Sequence, residues 1–275
     1  MSHHNVLILG GHGKIAQLLT PLLLRRGWDV TSVIRSEEQV PTVKKLAEVA
    51  KDGASTEGDG KLGKLNVLVR SLEEVKSEDD ARKVLDEAGA EYVVWTAGAG
   101  GKGGYERTYA IDRDAATHFI HAAASHPAVT RFLLISYLGS RRHKPAWWSE
   151  AAWASAQDVN ERVLPHYYKA KVAADEVLYT ISKQHSAGSK EFLGIDLRPG
   201  TLTMEPARGV ELGRTRGSKG VVSRESVARV AEELLAAEGV TSGWLDLLDG
   251  EEEIGMAVER VVREGVDAAE GEEFF

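Results

Sequence analysis

Short, almost wholly apolar runs alternate with longer stretches of helical periodicity, and that alternation leaves this chain few folds. Runs at 6–9 (VLIL), 29–34 (DVTSVI), 65–69 (LNVLV), 92–95 (YVVW), 131–135 (RFLLI), 191–197 (EFLGIDL) and 244–248 read as strands. Helical spacing of apolar residues fills 14–26, 41–50, 77–88, 111–125, 167–182, 224–237 and 254–264. In the first of these, Ile15, Leu18, Leu19, Leu22 and Leu23 share one face. Strands without a polar face need cover on both sides, which helical crossovers supply. Right-handed crossovers then give an α/β fold with a doubly wound parallel sheet. The four glycines of 52–64 mark an exposed loop.

The chain of 275 residues is expected to form a single domain over 1–275, with an acidic, flexible tail at 265–275. Its 34 basic and 42 acidic residues leave a net charge of −8, which offers nothing to a nucleic-acid backbone. The absence of cysteine removes disulfides, thiolate nucleophiles and Cys-ligated metals. No apolar run is long enough to span a bilayer, and the polar first residues do not read as a signal peptide. The expectation is a soluble cytoplasmic protein, a monomer or homodimer acting on a small molecule, with no nucleic-acid or membrane partner.

In such sheets, ligands bind beyond the strand C-termini, at the point where strand order reverses. The first strand runs into Gly10-Gly11-His12-Gly13-Lys14-Ile15-Ala16 and then directly into a helix. Gly10 permits the tight turn, Gly13 allows close approach to a pyrophosphate, and Ala16 lets helix and strand touch. The free N–H groups and positive dipole of the helix start face the anion. Gly10, Gly11, His12, Gly13, Lys14 and Ile15 are therefore the expected phosphate-binding run of a Rossmann fold. The second strand ends in Arg35-Ser36 rather than in the carboxylate that would bind the NAD ribose. Arg35 is placed to pair with a 2′-phosphate, and Ser36 to donate to it. NADP is thus expected in preference to NAD.

Ser136 ends the fifth strand, and Tyr167 and Lys171 stand one helical turn apart. A phenol can protonate a developing alkoxide if a neighbouring ammonium lowers its pKa. Lys171 would also hold the nicotinamide ribose, and Ser136 would orient a carbonyl. The insertion at 140–166, between strand 5 and helix 5, carries Trp147, Trp148 and Trp153. It reads either as an aromatic lid that, with Tyr137, meets substrate, or as a small helix packed on the body. His118, His121 and His126 read as solvated or capping residues, so no metal is expected.

These pieces resemble the short-chain dehydrogenase/reductase superfamily, and within it the atypical NAD(P)H-binding branch of flavin-reductase- and biliverdin-reductase-B-like proteins. The matching segments are GGHGKIA (10–16), VIRS (33–36), TAGAG (96–100), IDRDAA (111–116), LLISYLGS (133–140), YYKAKVAADEVL (167–178) and LRPGTL (197–202). The resemblance implies that Ala97, Gly98 and Ala99 pack on the adenosine ribose, and that Pro199, Gly200 and Thr201 line the nicotinamide side. It also implies Lys171 as the ribose-binding lysine and Tyr167 as the family's tyrosine. The third strand ends Val69-Arg70-Ser71, where relatives often carry an aspartate near the adenine. The expected function is NADP(H)-dependent hydride transfer with a small carbonyl or a quinone- or flavin-like acceptor. The alternatives are a non-catalytic NADPH-binding redox sensor and a nicotinamide-retaining epimerase or dehydratase.

Overall fold

The computed structural model describes residues 3–53, 61–100, 103–186 and 192–275, so part of the glycine-rich stretch at 52–64 lies outside the described residues. In chain order the elements are β1 (Asn5–Leu9), α1 (Lys14–Arg25), β2 (Asp29–Ile34), α2 (Val40–Lys44), α3 (Leu46–Asp52), β3 (Leu65–Val69), α4 (Glu78–Ala88) and β4 (Tyr92–Trp95). There follow α5 (Gly104–Thr108), α6 (Ala116–Ser125), β5 (Arg131–Ile135), α7 (Glu150–Asp158), α8 (Pro165–Ser186) and β6 (Leu193–Pro199). The chain then forms β7 (Thr201–Thr203), β8 (Val210–Gly213), β9 (Val221–Ser223), α9 (Arg224–Ala236), β10 (Gly243–Asp249) and α10 (Ile254–Glu264).

The main sheet has the order β3-β2-β1-β4-β5-β6-β10-β8, parallel except for β8, which runs antiparallel to β10. The strands are largely apolar because both faces are covered. Val6 and Ile8 of β1 point to one face, against Ile15, Leu19 and Leu23 of α1 and the apolar stripe of α9. Leu7 and Leu9 point to the other, against Val84 and Leu85 of α4 and Phe119 and Ile120 of α6. Helix ends carry local stops: Ser77 and Glu253 accept bonds from the first-turn amides of α4 and α10, and Gly89 ends α4 in the left-handed region at φ 57°. β7 and β9 pair as a separate two-stranded ribbon.

Three acids and two arginines form a fully buried ionic cluster between the middles of β6, β10 and α8, with Arg141 joining from the loop after β5. Arg198 reaches Asp175 (3.2 Å), Asp196 (3.2 Å) and Asp246 (3.1 Å), and Arg141 reaches Asp246 at 2.6 Å. The Arg198 guanidinium lies 3.8 Å from the Trp244 ring centroid. Buried charges of this kind persist only when paired and hydrogen-bonded.

The 265–275 stretch departs from its expected flexibility. Ala268 and Ala269 are buried, and Phe274 packs on Tyr179 and Trp244. The Ala268 amide donates to the Trp244 carbonyl (2.8 Å), and the Ala268 carbonyl accepts from Arg141 (2.6 Å). The Glu272 carboxylate accepts from the backbone amides of Arg142 (3.2 Å) and His143 (3.4 Å). Two alanines and two phenylalanines among the acids supply the apolar contact that a count of charges hides. No helix among the described residues is long and apolar enough to cross a membrane.

Candidate active site

β1 pairs with β2 on one side and β4 on the other, so the loops after β1 and β4 diverge and leave a crevice between them. Gly10 sits at φ +90°, and a Cβ there would lie 2.7 Å from the Ala97 Cα. Glycine is what lets the two loops touch. The Gly13 amide closes the turn onto the Gly10 carbonyl (2.8 Å), and Gly13 caps α1 with no side-chain hydrogen bond. The first amides of α1 are thus left to an external acceptor.

These elements border a cleft of about 530 Å³ lined by Gly10, His12, Gly13, Lys14, Arg35, Ala97, Gly98 and Ala99, together with Gln39, Arg70, Glu73, Arg107 and Ile111. Among the described residues, Lys14, Arg35, Arg70 and Arg107 face a single carboxylate, Glu73, which already accepts from Arg107 at 2.9 Å. An acidic chain has gathered its cations where a polyanion would lie. Gly11 and Ile15 do not line the cleft: the Gly11 amide donates to Val33 and the Ile15 side chain is in the core. Ser36 is half-buried at the head of a short 3-10 turn, with no side-chain cap bond.

A second group assembles at the ends of β5 and β6. Lys171 is buried and donates to the Ile135 carbonyl at 2.8 Å. The Ser136 hydroxyl is buried and donates to Asp175 Oδ2 at 2.7 Å, where Ser140 also donates at 2.5 Å. Tyr167, Lys171 and Asp175 recur every four residues, so α8 presents all three along one face. The half-buried Tyr167 ring lies 5.2 Å from that of Tyr137, and its hydroxyl makes no hydrogen bond among the described residues. Tyr137 donates to Asn160 at 2.7 Å, tying the strand end to the 140–166 insertion. Pro199 is buried at the end of β6, while Thr201 opens β7 exposed; neither they nor Gly200 border the 530 Å³ cleft.

The expected lowering of the Tyr167 pKa by Lys171 is not what these surroundings produce. Burial raises it well above the ordinary phenol value, and the nearby carboxylates of Asp112 and Asp175 add to the rise. Burial likewise raises Tyr137. Asp112 was not singled out from the sequence. It sits in a π-helical stretch, Tyr109–Ala115, that links α5 to α6, and accepts from the Ala99 amide at 2.9 Å. Burial raises its pKa, opposed first by Lys171. Its sequence signal was an acid inside the apolar face formed by Ile111, Ala115 and Ala116, as Asp175 was on α8.

Of the two readings of the insertion, the packing of the tryptophans follows that of a small helix set on the body. Trp148 is buried, and its indole donates to the Thr215 carbonyl at 3.1 Å. Trp147 and Trp153 pack with it against Leu138, Ala156 and Leu248, and none of the three borders the cleft. His126 bonds Asp86 at 2.9 Å and accepts from the Ala128 amide at 3.2 Å, which is a capping role. No group of three or more His, Asp or Glu among the described residues could hold a metal.

Residues 10–238 match the family model described as NAD(P)H-binding. The chain belongs to that NAD(P)H-binding family. It is 28% identical over 257 residues to a Bacillus subtilis protein named uncharacterized sugar epimerase YhfK, covering 93% of this chain and 99% of the relative. Its fold is shared with a putative NAD-dependent epimerase/dehydratase from Bacillus halodurans (TM-score 0.69, 24% identity, 94% of this chain and 99% of the other). The oxidoreductase ylbE from Lactococcus lactis also shares it (TM-score 0.66, 20% identity, 95% and 97%). The doubly wound fold and the NAD(P)H-binding character, both expected from the sequence, stand on these matches. The residues present fit such a cofactor. The glycine turn opens onto an α1 start without a side-chain cap, and the cation-lined cleft lies directly beside it.

Proposed function

We propose that the protein is an NADP(H)-dependent oxidoreductase of the atypical short-chain type, acting on a small carbonyl or a quinone- or flavin-like acceptor. The observation that carries this reading is the cleft itself: four cations against one carboxylate, with Arg35 rather than an acid at the end of β2. Gly10, Gly13 and the α1 amides would hold the diphosphate, Arg35 the 2′-phosphate, and Ala97, Gly98 and Ala99 the adenosine ribose. The bound coenzyme would supply the hydride. Tyr167 would donate the proton that neutralises the developing alkoxide, and its raised pKa keeps that proton on the phenol at neutral pH. Asp175 and the Ile135 carbonyl fix Ser136 and Lys171, so these two act by holding the strand end and the ribose side in place.

Replacing Arg35 with Ala is expected to weaken NADPH at least tenfold while leaving NADH within about twofold, as read by fluorescence titration. Equal losses for both coenzymes would remove the 2′-phosphate assignment. Tyr167→Phe is expected to abolish carbonyl turnover with coenzyme affinity intact; undiminished turnover would sink the acid role. The second reading, a nicotinamide-retaining epimerase, draws on the name of the Bacillus subtilis relative. It predicts a tightly co-purifying coenzyme and conversion of a sugar substrate without net NADPH consumption.

A further inference from the structure

We infer that Arg70 is the second arm of the 2′-phosphate site and, with Arg35, decides between NADP(H) and NAD(H). This rests on the NADP(H) reading above and extends it to a residue which that reading does not need. β2 and β3 are parallel with Ile34 opposite Val69, and the Arg70 amide donates to the Ile34 carbonyl at 2.7 Å. The next residue on each strand is an arginine, so Arg35 and Arg70 emerge side by side at the strand C-termini and border the same cleft.

Two guanidinium groups on adjacent strand ends repel unless an anion lies between them. The one carboxylate bordering the cleft among the described residues, Glu73, is engaged by Arg107. Arg70 itself is paired with Glu87 at 3.1 Å, but their side chains are 43% and 49% exposed. A pair so open to water holds weakly and exchanges readily for a stronger partner. A phosphate monoester carries a charge of about −1.5 to −2 at neutral pH and suits bidentate contact with arginine. An acid at the β3 end would repel that phosphate; an arginine there attracts it.

Calorimetric titration of the whole chain with NADPH and NADH tests this on wild type, Arg70→Ala and Glu87→Gln. The expected result is about a tenfold loss of NADPH affinity in Arg70→Ala, NADH within twofold of wild type, and Glu87→Gln unaltered for both. Retained NADH affinity also shows that the variant is folded. Unchanged NADPH affinity in Arg70→Ala overturns the inference. So does an equal loss for both coenzymes, which would mark an adenine or structural contact. A loss in Glu87→Gln matching that in Arg70→Ala would show that only the ion pair matters. If wild type binds NADH as tightly as NADPH, the NADP(H) reading itself fails, a result distinct from a silent Arg70 in a protein that does discriminate.

Discussion

At the scale of single residues, one missing methyl group lets the loops after β1 and β4 meet at the crevice. An alanine at position 10 would have to adopt φ +90° with its Cβ 2.7 Å from the Ala97 backbone, so the loops after β1 and β4 must part. Gly10→Ala is expected to destabilise the fold by about 1–3 kcal/mol and to weaken either reduced coenzyme at least tenfold, measured by denaturant unfolding and fluorescence titration. Tyr167 gives a second prediction, with a defined sign. Its pKa is raised, so the protonated form persists to higher pH than for a free phenol. The kcat profile for carbonyl reduction should show no falling limb from this group below about pH 10; a limb near neutrality, with the Tyr167 phenol titrating in the same range by ultraviolet difference absorbance, would overturn the raised pKa. The glycine turn was legible in the sequence because backbone need and residue type coincide there. Asp112 and Asp175 were not, because a buried acid leaves no periodicity of its own. Only the fold shows that Ser136 spends its hydroxyl on Asp175.

At the scale of elements, the parallel strands and their helices could be read because burial on both faces writes itself into composition. β7, β8 and β9 escaped because each has three or four residues and lies among glycines and charges. α7 was weighed only as the alternative to a lid, and the tryptophans around it pack into a cluster of their own. The middles of β6 and β10 carry the acids of the ionic cluster, single charges set among leucines that the apolar pattern of each strand hides. Burial, with Asp175 nearby, raises the Asp196 pKa well above the free value. A carboxyl raised on folding stabilises the fold below its unfolded pKa of about 4 and loses that contribution as pH climbs towards the folded value. Asp196→Asn removes this titration. Its Tm relative to wild type should therefore be higher at pH 8 than at pH 5, by about 2–4 °C for each kcal/mol recovered. Calorimetric scans at the two pH values check it, and a gap that narrows with pH would contradict the assignment.

At the scale of the whole molecule, the last described residues are structural parts and not trailing chain. Asp267 accepts from Tyr179 (3.0 Å), the Ala268 carbonyl accepts from Arg141, and Phe274 covers Trp244. Deleting 267–275 would strip the buried Arg141 guanidinium of a carbonyl acceptor and uncover aromatic surface. The expected cost is about 3–5 kcal/mol, seen as a lowered midpoint in thermal unfolding; an unchanged midpoint would show that the docked segment contributes nothing. The same contact has an implication for biosynthesis. Arg141 receives its carbonyl partner from a residue 127 positions further along the chain. During translation the Arg141 guanidinium lacks that acceptor until the distant stretch has left the ribosome. The strands around the glycine turn can assemble early, but the ionic cluster closes only near the end of synthesis.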